Sequence, residues 1–245
     1  MAGHSHWANI QHKKSAVDRR RAKVHSKIAR KVIQAAKQGG GDPGMNLKLK
    51  YALQAARAAN MSNDQVNRAI QRAVGGTQAE DFEELVYEGY APGGAAVLVE
   101  ALTDNRNRTG GDVRAIFTKH GGNLGQSGSV AWQFDFRAQV RVPASETTED
   151  ELMGAVLDAG ASDIEQEGDS FVVHGPPEAL SRLQQAVEGA GIASPAAEVA
   201  YVPKDYVPVD DQTARRVAAL LEALEENDDV QQVYTNADFP EDFEG

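Results

Sequence analysis

The residues best equipped for chemistry in this 245-residue chain are cations, and they are gathered at one end. Residues 1–75 hold 15 Lys and Arg against three acids, Asp18, Asp42 and Asp64, a formal +12; the remainder carries −23 within an overall −11. Lys13, Lys14, Arg19, Arg20, Arg21, Lys23, Lys27, Arg30, Arg68 and Arg72 are the candidates for contacts with nucleic-acid phosphate. Each such contact releases a condensed counterion, which gives affinity without reading sequence. A basic helix is more often a solvated charged face, but an excess of fifteen to three over a whole segment favours nucleic acid, either duplex DNA or rRNA. Trp7, set among His4, His6 and His12, either stacks on an unpaired base or pins the N-terminal arm onto the helices behind it.

A second constellation is Thr103-Asp104-Asn105-Arg106-Asn107-Arg108-Thr109, read between a strand and a helix. Thr109 as N-cap, with Arg106 and Arg108 beside the free N–H groups, makes a candidate anion pocket. The alternative is that Asp104 and the asparagines order the loop while the arginines pair with acidic surface. Enzymatic chemistry has little to rest on. The chain has no Cys, its His-x-His pair lacks the carboxylates or thiolates of a metal site, and the later acids face no nucleophile at a catalytic spacing. Gly39 to Gly44 lacks the Gly-Lys-Ser/Thr ending of a P-loop, and Gly121-Gly122-Asn123-Leu124-Gly125 precedes a strand, so no nucleotide cofactor is expected.

The elements that must position these residues follow from periodicity. Val17, Val24, Ile28, Val32 and Ala35 make an apolar stripe on a helix over Ala16–Gln38, with the cations opposite. Gly39 to Gly44 stops it, Asn46 caps a second helix over Leu47–Ala59, and Ser62 with Gln65 forms a capping box for a third whose apolar face is Val66, Ile70 and Val74. Beyond Gly76 the texture turns to β: a hairpin over Phe82–Tyr90 and Ala95–Thr103, a helix over Thr109–Lys119, and a strand over Val130–Phe134. From Arg137 to Val202 the order is βαββαβ, the ferredoxin-like arrangement. A last helix, Gln212–Asn227, and strand, Val230–Thr235, have no sheet of their own and rejoin the hairpin. The acidic tail from Asp238 reads as mobile.

Gly3-His4-Ser5-His6-Trp7, Asp42-Pro43, Asn67-Arg68-Ala69-Ile70, Tyr87-Glu88-Gly89-Tyr90-Ala91-Pro92-Gly93-Gly94, the Thr103–Thr109 run and Gly121-Gly122-Asn123-Leu124-Gly125 occur in this order. Together they resemble the YebC/PmpR family. The resemblance implies a three-domain, non-enzymatic protein, described in some members as a DNA-binding transcriptional regulator and in others as a ribosome-associated factor that assists synthesis of proline-rich stretches. This chain departs from the family where it has His6 in place of the usual Lys, and Arg21-Ala22-Lys23-Val24-His25 in place of Arg-Gly-Lys followed by an aromatic or apolar residue.

The expected fold class is therefore α+β: a basic three-helix domain over 1–76, a central α/β domain from 77–135 plus 206–245, and a ferredoxin-like insertion over 136–205. The expected partner is nucleic acid, duplex DNA or rRNA, with the ribosome as a further candidate. Neither a membrane nor a small-molecule substrate is expected, since no apolar run approaches the roughly 18 residues of a membrane span. No metal or other cofactor, a cytoplasmic location and a monomeric state complete the reading.

Overall fold

Glycines and caps divide the N-terminal third into three helices. The computed structural model describes residues 18–75, 81–192, 196–240 and 243, and in it α1 spans Asp18–Gly39, α2 Leu47–Ala58 and α3 Asn63–Val74. Asn46 caps α2 by accepting from the Leu49 amide at 3.1 Å, while its Nδ2 donates to the carbonyls of Ala35 and Gly40 at 2.7 and 2.8 Å. One buried amide thus closes the end of α1 and opens α2. Gly39 makes room for it, since a Cβ there would lie 2.7 Å from Asn46 Cγ. Ser62 and Gln65 form the reciprocal capping box of α3.

The buried face of this bundle is built largely from small residues. Val32, Ile33, Ala35 and Ala36 of α1 meet Leu49 and Ala52 of α2 and Ala69 and Ala73 of α3. Val24 and Val74, expected in the apolar stripes, are instead 45% and 56% exposed. The helices approach through alanines, and the larger residues one turn away are left outside.

A four-stranded sheet follows, in the order β3-β1-β2-β9, from β1 (Glu83–Tyr90), β2 (Ala96–Thr103), β3 (Asn123–Leu124) and β9 (Val230–Thr235). Thus the C-terminal strand pairs antiparallel with β2, and the chain's end completes the central sheet. Two helices, α4 (Arg106–Lys119) and α7 (Asp211–Glu225), bury Val113, Phe117, Val217, Leu221 and Leu224 against Val97 and Val99. Leu102 and Phe82 belong to the core of the helical bundle, so the bundle and the sheet are one compact unit. Of the tail expected to be mobile, residues 238–240 and 243 are among those described, and its two aromatic rings are held in place. Phe239 and Phe243, four residues apart, are buried in the sheet's core with ring centroids 5.3 Å from each other.

Residues 132–206 form the second unit. It runs β4 (Phe134–Pro143), α5 (Glu149–Val156), β5 (Asp163–Glu167), β6 (Ser170–Gly175), α6 (Leu180–Gly189) and β7 (Ala196–Pro203), with antiparallel sheet order β5-β6-β4-β7. This is the ferredoxin-like βαββαβ topology. The strand expected over Val130–Phe134 is absent as such. Ala131–Gln133 is a 3-10 turn, and Phe134 opens a ten-residue β4 that absorbs the strand foreseen from Arg137. Short strands β8 (Val207–Pro208) and β10 (Ala237–Asp238) pair in parallel in the first unit.

The motif around Tyr87 owes its shape to a buried carboxylate. Glu88 is 5% exposed and accepts from the amides of Gly128, Val130 and Ala131 at 2.6, 2.8 and 2.8 Å. Burial pushes its pKa up, but the three N–H donors outweigh that and hold it below the ordinary glutamate value. Gly89 lets Asn123 and Phe117 approach, since a Cβ would fall 2.6 Å from the Asn123 carbonyl oxygen. Glu88→Gln exchanges one acceptor oxygen for an N–H₂ facing backbone donors. Urea unfolding of this variant should show a loss of about 1–3 kcal/mol; an unchanged midpoint would refute the anchoring role.

Candidate nucleic-acid interface

Helix α1 distributes its cations to two destinations. Lys23, Lys27 and Arg30, spaced to share one side, reach the C-terminal end of α7. Lys23 Nζ donates to the Glu226 carbonyl at 2.8 Å, Lys27 Nζ to the Glu225 carbonyl at 2.5 Å, and Arg30 to the Asp228 carbonyl at 2.8 Å. The last carbonyls of a helix lack intrahelical partners and form the negative end of its dipole. The last turn of α7 contains no basic residue of its own. Three of the ten cations foreseen as phosphate contacts are therefore engaged within the fold. Burial, with Lys23 as a like charge opposing the attraction of Glu225, pulls the Lys27 ammonium down to about 8.

The other destination is a groove of about 660 Å³ between α1 and α3. Its exposed rim carries Arg21 from α1 and Arg68 and Arg72 from α3. Ile33, Met61 and Ala69 are buried beneath them. Arg68 Nε donates to the Asp64 carbonyl at 3.1 Å, which steadies its guanidinium along the helix. His25 also lines the groove, and its Nε2 lies 2.9 Å from the Ala59 carbonyl. A carbonyl oxygen can only accept, so Nε2 is the donor in this contact, and in the neutral ring Nδ1 is then an acceptor. Arg19 and Arg20 lie in the first turn of α1, but their side chains are outside the described residues, as are Trp7, Lys13 and Lys14.

The Thr103–Thr109 run closes around an acid that sequence reasoning did not single out. Asp229, on the turn between α7 and β9, has a side chain only 7% exposed. Its Oδ1 accepts from Arg30 at 2.7 Å. Its Oδ2 accepts from Arg108 at 2.8 Å, Thr109 at 2.7 Å and Thr103 at 3.2 Å. Arg108 also pairs with Asp104 at 2.8 Å, and Arg106 with Glu83 at 3.3 Å. The anion in this pocket is thus the protein's own carboxylate. Asn105, rather than Thr109, caps α4 by accepting from the Arg108 amide at 3.1 Å; Thr109 lies one turn inside, its hydroxyl committed to Asp229.

The family follows from comparison of the whole chain with known sequences. Residues 5–76 match the TACO1/YebC protein N-terminal domain, and residues 82–237 match the TACO1/YebC second and third domain. The chain belongs to the TACO1/YebC family. A relative from Rubrobacter xylanophilus is 49% identical over 243 residues, covering 99% of this chain and 97% of the relative. Another from Maridesulfovibrio salexigens is 48% identical over 243 residues, covering 99% and 98%. Both are named probable transcriptional regulatory proteins. The crystal structure of a conserved hypothetical protein from Aquifex aeolicus, 44% identical, superposes with a TM-score of 0.87 over 97% of this chain and 98% of that one.

Several motifs that mark the TACO1/YebC resemblance therefore have structural duties in this chain. The Tyr87–Gly94 run anchors the loop through Glu88, and the Thr103–Thr109 run gathers Asp229. Asn67-Arg68-Ala69-Ile70 differs, because it places Arg68 on the groove rim and Ala69 beneath it. Among the described residues no group of three His, Cys, Asp or Glu is placed to hold a metal ion. None of their helices is long and apolar enough to cross a membrane.

Burial raises the Asp229 carboxyl, but the hydrogen bonds from Arg108, Thr109 and Arg30 prevail, and its pKa lies below the ordinary aspartate value. The stability it contributes is therefore complete above its unfolded pKa, about 4, and is lost as pH falls through the depressed folded one. Asp229→Asn should cost about 2–3 kcal/mol at neutral pH, less than a fully buried pair because the arginines reach solvent. Chemical unfolding of the two proteins at pH 7 and pH 3 measures this, and a difference that does not shrink in acid would refute it. Lys27 gives the same slope for a different reason, since burial disfavours its charged form. Its folded pKa is lowered, so the unfolded chain holds more protons between about pH 8 and about 10.5, and stability should rise with pH across that window. A Lys27 side-chain NMR titration should have its midpoint near pH 8, and a midpoint above 10 would remove the claim.

Proposed function

We propose that this chain is a non-enzymatic, cytoplasmic regulator of gene expression that grips nucleic acid through the N-terminal helical domain. Its contact residues are Arg21, Arg68 and Arg72, joined along α1 by Arg19 and Arg20 and by the preceding Lys13 and Lys14. The observation that carries the reading is the division of the cations. Lys23, Lys27 and Arg30 are drawn to α7, whereas the three arginines meet around one solvent-facing groove. Guanidinium groups clustered on such a groove are suited to phosphate, which they can engage in bidentate fashion. The names of the relatives, probable transcriptional regulatory proteins, support a transcriptional role; duplex DNA is the target this reading assigns.

A second reading, a ribosome-associated translation factor bound to rRNA, draws on a separate observation. Beneath the arginines the groove is apolar, with Ile33, Met61 and Ala69 buried at its base. Sequence-specific RNA recognition typically engages unstacked bases, which such a surface can receive. The −23 carried beyond residue 75 would then face water or basic proteins.

Charge reversal separates the two groups of cations. Arg21→Glu, Arg68→Glu and Arg72→Glu together should weaken binding to every nucleic-acid sequence. The salt dependence should flatten by about 0.9 in slope for each duplex phosphate no longer neutralised, or about 0.7 on a single strand. Lys23→Gln should leave that slope unchanged. Fluorescence anisotropy over a salt series, with DNA duplex and rRNA fragments as probes, reads both. An unaltered slope in the triple variant would overturn the assignment of the groove.

A further inference from the structure

We infer that the groove between α1 and α3 receives an unstacked nucleobase, so that the preferred ligand is a single-stranded or looped stretch of RNA rather than a duplex. This rests on the second, RNA-binding reading above and narrows it, with a preference for duplex as the outcome that would favour the first. A surface that only tracks a duplex backbone needs cations spread along the strand, and an apolar cavity beneath them contributes nothing to phosphate binding. Here the cations border an open groove of about 660 Å³, room enough for a base.

The lining suits a base in three respects. Ala22 and Ala29 of α1 face Ala69 of α3 with Ile33 and Met61 between them, giving apolar walls with little side-chain entropy to lose. Arg21 stands on one wall, and Arg68 and Arg72, one helical turn apart, on the other. Guanidinium planes stack on bases while their N–H groups hold the flanking phosphates. The polar groups offer both kinds of hydrogen-bond partner. In the neutral imidazole, His25 Nδ1 is an acceptor, since Nε2 donates to the Ala59 carbonyl. Gln65 keeps its N–H₂ as a donor because its Oε1 is the acceptor of the α3 capping box. A phosphate-only site has no use for the acceptor, whereas the amino and imino edges of a base do.

The test uses the full chain and anisotropy at one salt concentration. The probes are a 12-nucleotide single-stranded RNA of mixed sequence, the same strand annealed to its complement, and an abasic strand with the same phosphates. The single strand should bind at least about fivefold more tightly than the abasic strand, the loss expected for one stacked base, and more tightly than the duplex. Ala22→Leu and Ala29→Leu, which fill the groove without changing charge, should bring the intact strand to abasic affinity with the salt slope preserved. Circular dichroism confirms that each variant is folded, and the wild-type comparison of intact and abasic strands does not depend on them. Equal affinity for intact and abasic strands, or a duplex preferred over the single strand, overturns the inference. If that occurs while the arginine reversals still abolish binding, the nucleic-acid reading survives without the base pocket. If the reversals also leave binding unchanged, both fall.

Discussion

Asp229 is the interaction on which the larger unit depends. Its carboxylate joins three parts of the chain that are remote in sequence: α1 through Arg30, the start of α4 through Arg108 and Thr109, and the turn leading into the last strand. Its own backbone carbonyl accepts from the Leu102 amide, tying the same turn to the end of β2. A buried carboxylate is costly unless its lone pairs are filled, and here both oxygens are. The penalty for separating any one of these segments therefore falls on a shared group. The helical bundle and the central sheet accordingly behave as one body.

This arrangement sorts the cations of the N-terminal helices between two places. The C-terminal end of α7 presents bare carbonyls and contains no basic residue in its last turn, so it draws on α1 for compensation. Lys23, Lys27 and Arg30 of α1 are thereby committed toward α7, while Arg21 of the same helix lines the groove with α3. Net charge alone made the whole segment one phosphate-seeking surface. The geometry resolves it into a structural clamp and a groove, with His25 and Gln65 adding directional hydrogen bonding that a count of lysines and arginines does not reveal.

Local features were legible in the sequence because their causes are local. Asn46 and the Ser62–Gln65 pair announce helix starts through the short reach of their side chains, and Val230–Thr235 reads as a strand from its own composition. The βαββαβ order could be read because each element carries its own periodicity. What escaped notice depends on partners distant in the chain. Asp229 looks like one more acid in an acidic stretch, and only folding brings it to arginines 121 and 199 residues away. Thr109 has the chemistry of a cap, but Asn105 is better placed and Thr109 is claimed by Asp229. In the tail, the acids around Phe239 and Phe243 obscured a pair of rings that enter the core. Val24 and Val74 fit a stripe by spacing, yet close packing of alanines leaves them outside it.

The pairing of β4 with β7 bears on the order in which the molecule can assemble. Phe134 lies opposite Pro203, so the inserted unit begins and ends on neighbouring strands. In an unfolded chain, bringing Ala131 and Val207 together means closing a loop of roughly seventy-five residues, an entropic cost of about 4 kcal/mol before any contact offsets it. Once β4 and β7 have paired, that closure has already been made. An insertion that is already folded would therefore spare α7, Asp229 and β9 that closure cost when they join the central sheet.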